Sequence, residues 1–259
     1  MDTVFDDLAL RGYAVIADAL GPSEVGGLLA AFGELPPLTP DEQRAGLRDV
    51  FTRVPLVREL AAHPAIRGWP QAVLGPAAFA VRALYFDKTP EANWKVSWHQ
   101  DVTIPTATRA EVSGFGPWSE KAGAPHVQPP TGVLEGMLTV RLHLDDCDVE
   151  NGPVRVIPGS HRFGKLSADQ ADDLRQRIPE VTVPVPAGGL LLMRPLLLHA
   201  SSPAAAPRHR RVLHLEYAAA ELPGGLRWRE RWGSSLPSSR ISLSRLGRRV
   251  STLMAGAAR

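Results

Sequence analysis

Hydrophobic residues in the first third of the chain recur mostly with the spacing of α-helices. In the segment that begins at Pro22, four apolar side chains fall on one helical face, namely Val25, Leu28, Leu29 and Phe32. Short helical patterns also occupy the opening segment and residues 54–62 and 65–74, whereas residues 12–16 have the pattern of a strand. We expect these helices to pack against one face of a sheet.

Strand-like patterns dominate the rest of the chain. Residues 77–88 are mostly apolar and compatible with a strand, and residues 138–144 alternate strictly between apolar and polar side chains. Further strands are predicted at 181–185, 190–199 and 210–217, with a helix near 168–177. About eight short strands after a helical region favour an antiparallel sandwich or barrel with helices on one side.

The alternating strand at 138–144 has two different faces. One face carries Leu138, Val140, Leu142 and Leu144, and the other carries Thr139, Arg141 and His143. If the apolar face packs on the core, the polar face looks either at solvent or into a cavity. An arginine flanked by Thr and His would suit an anion in such a cavity. The sequence leaves both environments open.

Residues 104–130 show almost no periodicity and are rich in turn-forming residues after Gly114. Segments of this length without regular structure are often lids over a binding site. Trp118, His126 and Gln128 are therefore candidate substrate contacts. An ordered packing loop is the alternative interpretation.

Composition places the chain among ordinary globular proteins. Its 259 residues are 44% hydrophobic, enough for one large domain with its own core. Cys147 is the single cysteine, which excludes an intramolecular disulfide and cysteine-based zinc sites. The acidic opening residues do not fit a secretion signal, and no apolar run reaches the length of a membrane span. We expect a cytoplasmic protein without a membrane partner.

Charge is distributed unevenly along the chain. The formal net charge is +2, yet residues 226–259 contain eight arginines and one acid, Glu230, so this segment carries +7 and the remainder −5. A basic tail of this kind could touch nucleic acid or an acidic partner, but no nucleic-acid-binding fold signature accompanies it. We expect a solvated or oligomer-contacting tail and no nucleic-acid partner. The oligomeric state is not indicated.

The candidate chemistry centres on Trp98-His99-Gln100-Asp101. In an extended segment alternate side chains share a face, so His99 and Asp101 can point at one spot. Two imidazoles and one carboxylate are the ligand set of non-haem Fe(II), and they leave three coordination positions open. His199, where an apolar strand meets a polar loop, is the candidate third ligand. Arg210, on the next strand, can return beside the metal and bind a carboxylate through its planar fork.

Four motifs, in their order and spacing, carry a family resemblance. They are Trp-His-Gln-Asp at 98–101, the run at 144–161 that ends in Pro-Gly-Ser-His, Pro-Ala-Gly-Gly-Leu-Leu-Leu-Met at 186–193, and His-Ala-Ser at 199–201 followed by Arg210. Over about residues 12–217 the chain resembles the phytanoyl-CoA dioxygenase family. This family of Fe(II)- and 2-oxoglutarate-dependent oxygenases includes ectoine hydroxylase.

The resemblance implies a fold and a set of site residues. The fold is mainly β with flanking α-helices, a cupin-like double-stranded β-helix or jelly roll. We expect one domain at 1–225, with a helical part at 1–76 and a jelly-roll core at 77–220, followed by the basic tail. His99, Asp101 and His199 would bind iron, and Arg210 would hold the distal carboxylate of 2-oxoglutarate. Further candidates near the cosubstrate are Arg141, Thr139, Ser201 and Arg48.

The implied activity is hydroxylation of a small-molecule substrate, with O2 as the oxidant and 2-oxoglutarate converted to succinate and CO2. Because related halogenases lack the ligand carboxylate, Asp101 favours hydroxylation, desaturation or ring chemistry. Two alternatives remain at this stage. One is a redox-neutral metalloprotein with Zn or Ni on the same ligands. The other is a non-enzymatic β-sandwich module whose tail binds a polyanion. The sequence names no substrate.

Two positions depart from the family pattern. Ala200 replaces the glycine that usually follows the last histidine, which adds a methyl group near the candidate ligand. Residues 203–207, Pro-Ala-Ala-Ala-Pro, replace a small polar cluster that precedes the arginine. The family's substrate contacts from this loop therefore do not carry over, whereas the predicted iron site is unaffected.

Overall fold

Two antiparallel β-sheets pack face to face, and helices cover the outer face of the larger sheet. The computed structural model describes residues 2–233, except for the side chains of Asp2, Arg44 and Ala45. The strands are β1 (Tyr13–Ile16), β2 (Phe79–Lys88), β3 (Val96–His99), β4 (Ile104–Pro105), β5 (Trp118–Lys121), β6 (Ala124–Val127), β7 (Met137–His143), β8 (Val154–Val156), β9 (Val181–Val183), β10 (Leu190–Met193), β11 (His199–Ser201) and β12 (Arg210–Ala218).

The helices occupy mainly the first third of the chain, as the hydrophobic spacing predicts. They are α1 (Asp2–Leu10), α2 (Pro22–Gly33), α3 (Pro40–Ala45), α4 (Val50–Arg53), α5 (Leu56–Ala62), α6 (Pro64–Leu74), α7 (Thr131–Glu135) and α8 (Ala168–Arg177), with a 3-10 helix at Ser160–Phe163. Within residues 2–233 no helix has both the length and the apolar character that crossing a bilayer requires.

The larger sheet has the strand order β1-β10-β7-β12-β2. Its outer face and helices α1, α2 and α4–α6 share one apolar core, which contains Phe51, Leu60 and Tyr217. Leu138, Val140, Leu142 and Leu144 also belong to this core, so the alternation predicted for 138–144 is confirmed. The opposite face of β7 does not look at solvent, because Thr139, Arg141 and His143 are all buried.

The smaller sheet has the order β3-β11-β8-β9 and faces the inner side of the larger sheet. Apolar side chains from both sheets fill one end of the space between them, among them Tyr13, Leu191, Val154 and Val156. The predicted fold class, mainly β with flanking helices, is thus confirmed. Within the described residues the two sheets stay separate and do not close into a barrel.

The apolar run at 190–199 is not one strand, contrary to the sequence prediction. β10 ends at Met193 in the larger sheet, and β11 begins at His199 in the smaller sheet. Pro195 lies between them and cannot donate a ladder hydrogen bond, so the chain leaves one sheet here and crosses to the other. His199 therefore begins a strand, directly beside β3.

The prediction that residues 104–130 lack regular structure was also wrong. β4, β6 and β5 form a third sheet, and β5 and β6 are joined by a tight turn at Ala122-Gly123. Both turn residues have positive φ, 50° and 70°, as two-residue hairpin turns require. Strands of two to four residues are too short to produce a recognisable period in the sequence.

Residues beyond the last strand return across the body of the protein. Leu226 and Trp228 are buried, and isolated β-bridges join Trp228 to Thr106 and Trp232 to Ala80. The first residues of the segment predicted as a basic tail therefore pack on the fold. Residues 234–259, which carry five of its eight arginines, lie outside the described residues. The division into a domain and a tail stays a prediction.

Candidate metal centre

His99 and His199 lie opposite each other on neighbouring strands. β3 and β11 pair antiparallel with these two residues in register, and their ring centroids are 4.2 Å apart. Asp101 places Oδ1 3.9 Å from His99 Nε2 and Oδ2 3.8 Å from His199 Nε2. One ligand atom from each of the three residues lies within 4.8 Å of the other two. The structure thus brings together the three residues that the sequence selects as metal ligands.

Backbone carbonyls orient both imidazoles. His99 Nδ1 lies 2.8 Å from the carbonyl oxygen of Ser97, and His199 Nδ1 lies 2.9 Å from that of Leu197. Because a carbonyl oxygen is an acceptor, each Nδ1 carries the hydrogen and each Nε2 keeps a free lone pair for a metal. Burial, and then the neighbouring His99, lower the pKa of His199 to about 3, so this ring is neutral at pH 7.

Asp101 supplies the negative charge of the centre. Burial alone would raise its pKa, but the neighbouring His199, His214 and His99 outweigh burial and hold the pKa below the usual range. Its buried Oδ2 has no hydrogen-bond partner among the described residues. A buried carboxylate oxygen without a donor needs a cation to balance it. Two imidazole nitrogens and this carboxylate fit a divalent ion such as Fe(II).

Gln100, between two candidate ligands, points away from the centre and fixes the backbone there. Its Nε2 donates to the carbonyl oxygens of Gly164 and Leu196 at 2.8 and 2.7 Å. Its Oε1 accepts a hydrogen bond of 2.8 Å from the Leu166 amide. The Asp101 amide also donates to Pro195 at 2.9 Å. The segment that carries two ligands is therefore anchored to the crossing that leads to the third.

A cavity of about 290 Å³ opens beside these three residues. Arg210, Arg141 and Ser201, predicted near the cosubstrate, all line it, and so does Arg48. Arg210 is 4% exposed and donates to the carbonyl oxygen of Gly152, while its Nε has no partner among the described residues. A buried guanidinium with an unused donor at a cavity wall is suited to a carboxylate.

Four other candidates from the sequence lie elsewhere. Thr139 is fully buried but does not line this cavity, and its Oγ1 has no partner among the described residues. His126 lines a smaller cavity next to the larger one. Trp118 packs at the edge of an apolar cluster, and the backbone of Gln128 pairs with Gly116 and Pro117. Their proposed contacts with cosubstrate or substrate stay predictions.

Sequence reasoning missed a buried polar chain along the cavity wall. Arg82 on β2 pairs with Glu216 on β12. Glu216 Oε1 accepts from His214 Nε2 at 3.1 Å, and His214 Nδ1 lies 2.9 Å from a terminal nitrogen of Arg141. A signal was present in the sequence, because Arg210, His214 and Glu216 are separated by even numbers of residues and so share one face of a strand.

Lys88, the last residue of β2, was missed as well. Its Nζ donates to Ser201 Oγ and to the carbonyl oxygen of Ser202, each at 3.2 Å. Burial and then the neighbouring Arg210 lower the pKa of Lys88 to about 7. This lysine therefore positions Ser201, one of the predicted cosubstrate contacts, at the edge of the cavity.

Two facing antiparallel sheets with a cluster of two histidines and one aspartate between them define a cupin-like protein with a candidate mononuclear metal centre. The family model described as phytanoyl-CoA dioxygenase (PhyH) matches residues 8–212. The chain belongs to this family. A comparison with curated protein sequences finds no match.

Solved structures of similar fold come from several enzymes. EctD from S. alaskensis, solved with 2-oxoglutarate and 5-hydroxyectoine, is 20% identical, with 85% of this chain and 76% of that chain covered and a TM-score of 0.66. The carbocyclase SnoK from nogalamycin biosynthesis is 21% identical, with 85% of each chain covered and a TM-score of 0.63. The epimerase SnoN, solved with Fe3+, alpha ketoglutarate and nogalamycin RO, is 21% identical, with 92% and 96% covered and a TM-score of 0.65. At these identities the likeness establishes the fold.

Proposed function

We propose that this protein is an Fe(II)- and 2-oxoglutarate-dependent dioxygenase that hydroxylates a small-molecule substrate. His99, Asp101 and His199 would hold the iron, and Arg210 would bind the distal carboxylate of 2-oxoglutarate. The observation that carries the proposal is the convergence of these three ligands beside a cavity that also contains a buried arginine with an unused donor. Membership of the PhyH family supports it, as do the cosubstrate complexes of EctD and SnoN.

The chain's own groups would bind and orient the reactants. His99, Asp101 and His199 would supply three ligands to the metal, which would leave coordination positions for a 2-oxo acid and for O2. Arg210 would fix the far end of the cosubstrate, and Arg141 and Ser201 line the same cavity for its remaining oxygens. When bound, the iron supplies O2 activation coupled to decarboxylation of 2-oxoglutarate to succinate and CO2.

Hydroxylation is proposed over halogenation because Asp101 occupies the carboxylate position of the ligand set. SnoK is a carbocyclase and SnoN is an epimerase, so proteins of this fold support more than one outcome. Which bond reacts depends on where the cavity holds the substrate carbon relative to the metal.

The test is an anaerobic titration of the purified protein with Fe(II) and 2-oxoglutarate. A chelated 2-oxo acid gives a weak visible metal-to-ligand charge-transfer band. We expect this band in wild type, its loss in His199→Ala, and a ten- to hundredfold weaker 2-oxoglutarate affinity in Arg210→Ala, because a charge-assisted hydrogen bond contributes about 1.5–3 kcal/mol.

Neighbouring residues provide matched controls. Arg211→Ala removes an arginine that pairs with Asp145 and does not line the cavity. His209→Ala removes a histidine that pairs with Asp87. Both variants should keep the band. If folded, iron-loaded wild type gives no band, the oxygenase proposal is wrong. Zinc or nickel chemistry on the same ligands would then be tested, and Arg210→Ala should not affect it.

A further inference from the structure

We propose that the substrate is a small organic anion, and that Arg48, Arg82 and Lys121 bind its carboxylate or phosphate group. These three residues, the Arg48 cluster, line the same cavity as the candidate metal ligands. They also line the smaller cavity that contains His126. The inference rests on the proposed function and adds the substrate class to it.

The Arg48 cluster is assembled from three separate parts of the chain. Arg48 precedes α4 and is held beside β2 by the backbone pair Leu47–Tyr85, with hydrogen bonds of 2.8 and 3.1 Å. Arg82 lies on β2 itself, and Lys121 is the last residue of β5. Like charges repel at short range, so three cations come together on one cavity only where the fold holds them there. The Arg48 cluster is therefore a feature that the fold imposes.

The cluster has unused capacity to donate hydrogen bonds. Arg48 makes no hydrogen bond or salt bridge within the described residues. Arg82 pairs with Glu216, but its buried Nε has no partner among them. Lys121 Nζ donates to Thr103 Oγ1 at 3.1 Å. Burial lowers the pKa of Arg48, and the neighbouring Arg82 lowers it further. An anion would satisfy these donors and relieve the repulsion.

A second group of cations, Arg141 and Arg210, lines the larger cavity but not the smaller one, which the Arg48 cluster also lines. The two groups also differ in the charged neighbour that shifts their pKa values. Burial and then the neighbouring Arg82 lower the pKa of Arg48 and that of Lys121. The pKa of Arg141 is lowered by burial and then by Arg210. Asp101, one of the candidate metal ligands, lies close enough to both groups to affect the pKa of Lys121 and that of Arg141. With 2-oxoglutarate on Arg210, the Arg48 cluster is left to face the substrate.

The charge balance leads to the same conclusion. Five side chains of Lys or Arg line the cavity, and two buried carboxylates, Asp101 and Glu216, face them, so three positive charges are unbalanced. Fe(II) and the dianion of 2-oxoglutarate cancel each other. Asp49, which lies next to Arg48 in the chain, pairs with Arg229 at 3.1 Å and so does not change this balance. An anionic substrate would restore neutrality.

The dimensions and the apolar wall limit the rest of the molecule. About 290 Å³ is at the lower end of the range for ligand pockets, and cosubstrate and substrate must share it. Leu84, Phe86 and Val96 give this cavity an apolar part of its wall. The part of the substrate inside the cavity is therefore a short hydrocarbon skeleton with an anionic group at one end.

The test measures binding to protein loaded with Fe(II) and saturating 2-oxoglutarate in the absence of O2. The probes are inorganic phosphate and a panel of small carboxylates and phosphate monoesters, each paired with the neutral amide or alcohol of the same skeleton. Calorimetry and the change in the charge-transfer band report binding. We expect anions to bind at least tenfold more tightly than their neutral partners, and the two arms identify carboxylate or phosphate as the preferred group.

Variants locate the binding site. Arg48→Gln and Lys121→Gln should each weaken anion binding at least tenfold, whereas Arg177→Gln, on the exposed side of α8, should not change it. The proposal is overturned if no anion of the panel binds wild type, if neutral probes bind equally well, or if Arg48→Gln binds anions like wild type. Absence of the band would instead reject the proposed function, and calorimetry on metal-free protein would still measure the dependence on Arg48.

Discussion

Gln100 determines where the two ligands on either side of it can lie. Its amide makes three hydrogen bonds to backbone groups of Gly164, Leu166 and Leu196. Gln100→Glu keeps the size of the side chain but replaces the donor of two of these bonds with an oxygen. We expect unfolding free energy to fall by about 2 kcal/mol and Ni(II) affinity to fall tenfold or more, because groups that orient ligands contribute this much.

Urea unfolding and Ni(II) titration check this expectation together. The control is Gln43→Glu in α3, where the side chain is exposed. An unchanged Ni(II) affinity in Gln100→Glu would mean that the ligand segment holds its position without this amide.

His126 should make stability depend on pH. Burial lowers its pKa to about 4, compared with 6.5 for a free imidazole. The unfolded chain therefore takes up a proton near pH 6.5, which the folded chain does not do until about pH 4. The stability that neutral His126 contributes is complete above pH 6.5 and is lost as the pH falls towards 4. We expect this residue to account for about 1 kcal/mol between pH 7 and pH 5.5.

Unfolding of wild type and His126→Gln in urea at several pH values between 7 and 5 measures this contribution. The stability of the variant should fall less steeply as the pH is lowered. Parallel curves would show that His126 gains its proton equally easily in both states.

The candidate ligands could be predicted at this scale because their chemistry is visible in short motifs. His99 and Asp101 are two residues apart, and His199 stands at the end of an apolar run. Arg82 and Lys121 could not be selected in this way. Each is an isolated cation in its own segment, and only the folded chain brings them beside Arg48. Trp118 and Gln128 were selected on residue type alone, and neither lines the cavity.

Among the elements, the loop before α4 depends on a glycine. Gly46 has φ +82°, and a Cβ there would lie 2.5 Å from the ring of Phe86 on β2. Gly46→Ala would therefore push this loop away from β2 and move Arg48. We expect a loss of about 3 kcal/mol of unfolding free energy, from backbone strain and steric overlap together.

Gly75→Ala is a matched control for the strain alone. Gly75 has φ +104°, and nothing lies within 4 Å of a Cβ at that position. It should cost about 1–2 kcal/mol. Chemical unfolding of both variants separates the two effects, and phosphate binding should weaken in Gly46→Ala alone. Equal losses of stability would mean that the Phe86 ring moves aside.

Elements with long periodic patterns were predictable, whereas connections were not. The alternation at 138–144 was sufficient to predict β7 and its two faces. The apolar run at 190–199 concealed a crossing between sheets, because residues buried by either sheet look alike in sequence. The sheet of β4, β5 and β6 was missed because its strands are too short to show a period.

On the scale of the whole molecule, metal binding should stabilise the entire fold. The three candidate ligands come from β3, the segment after it and β11. The folded chain brings these segments together and the unfolded chain does not, so an ion held by all three binds to the folded chain only. Ni(II) at one hundred times its dissociation constant should add about 2.7 kcal/mol to the unfolding free energy. Thermal unfolding with and without Ni(II) measures the gain. His199→Ala should lose it and His209→Ala should keep it.

The general architecture could be predicted from the order of patterns along the chain. Helical spacing comes first and strands follow, and a protein with this order packs its helices on one face of an antiparallel sheet. The separation of the strands into two facing sheets depends on pairing between distant segments, such as β1 with β10, which no local pattern specifies. The family resemblance, and not the periodicity, indicated the jelly roll.

The pairing of His99 with His199 has a consequence for how the protein is produced and handled. The two histidines are 100 positions apart in the chain, and within the described residues β3 has β11 as its one sheet neighbour. Contacts between such distant segments form slowly, because the intervening chain must be ordered first. A nascent or partly folded chain therefore holds no complete binding site. The amount of Ni(II) that a purified sample binds per chain at saturation is therefore a direct measure of the fraction of molecules that have folded correctly.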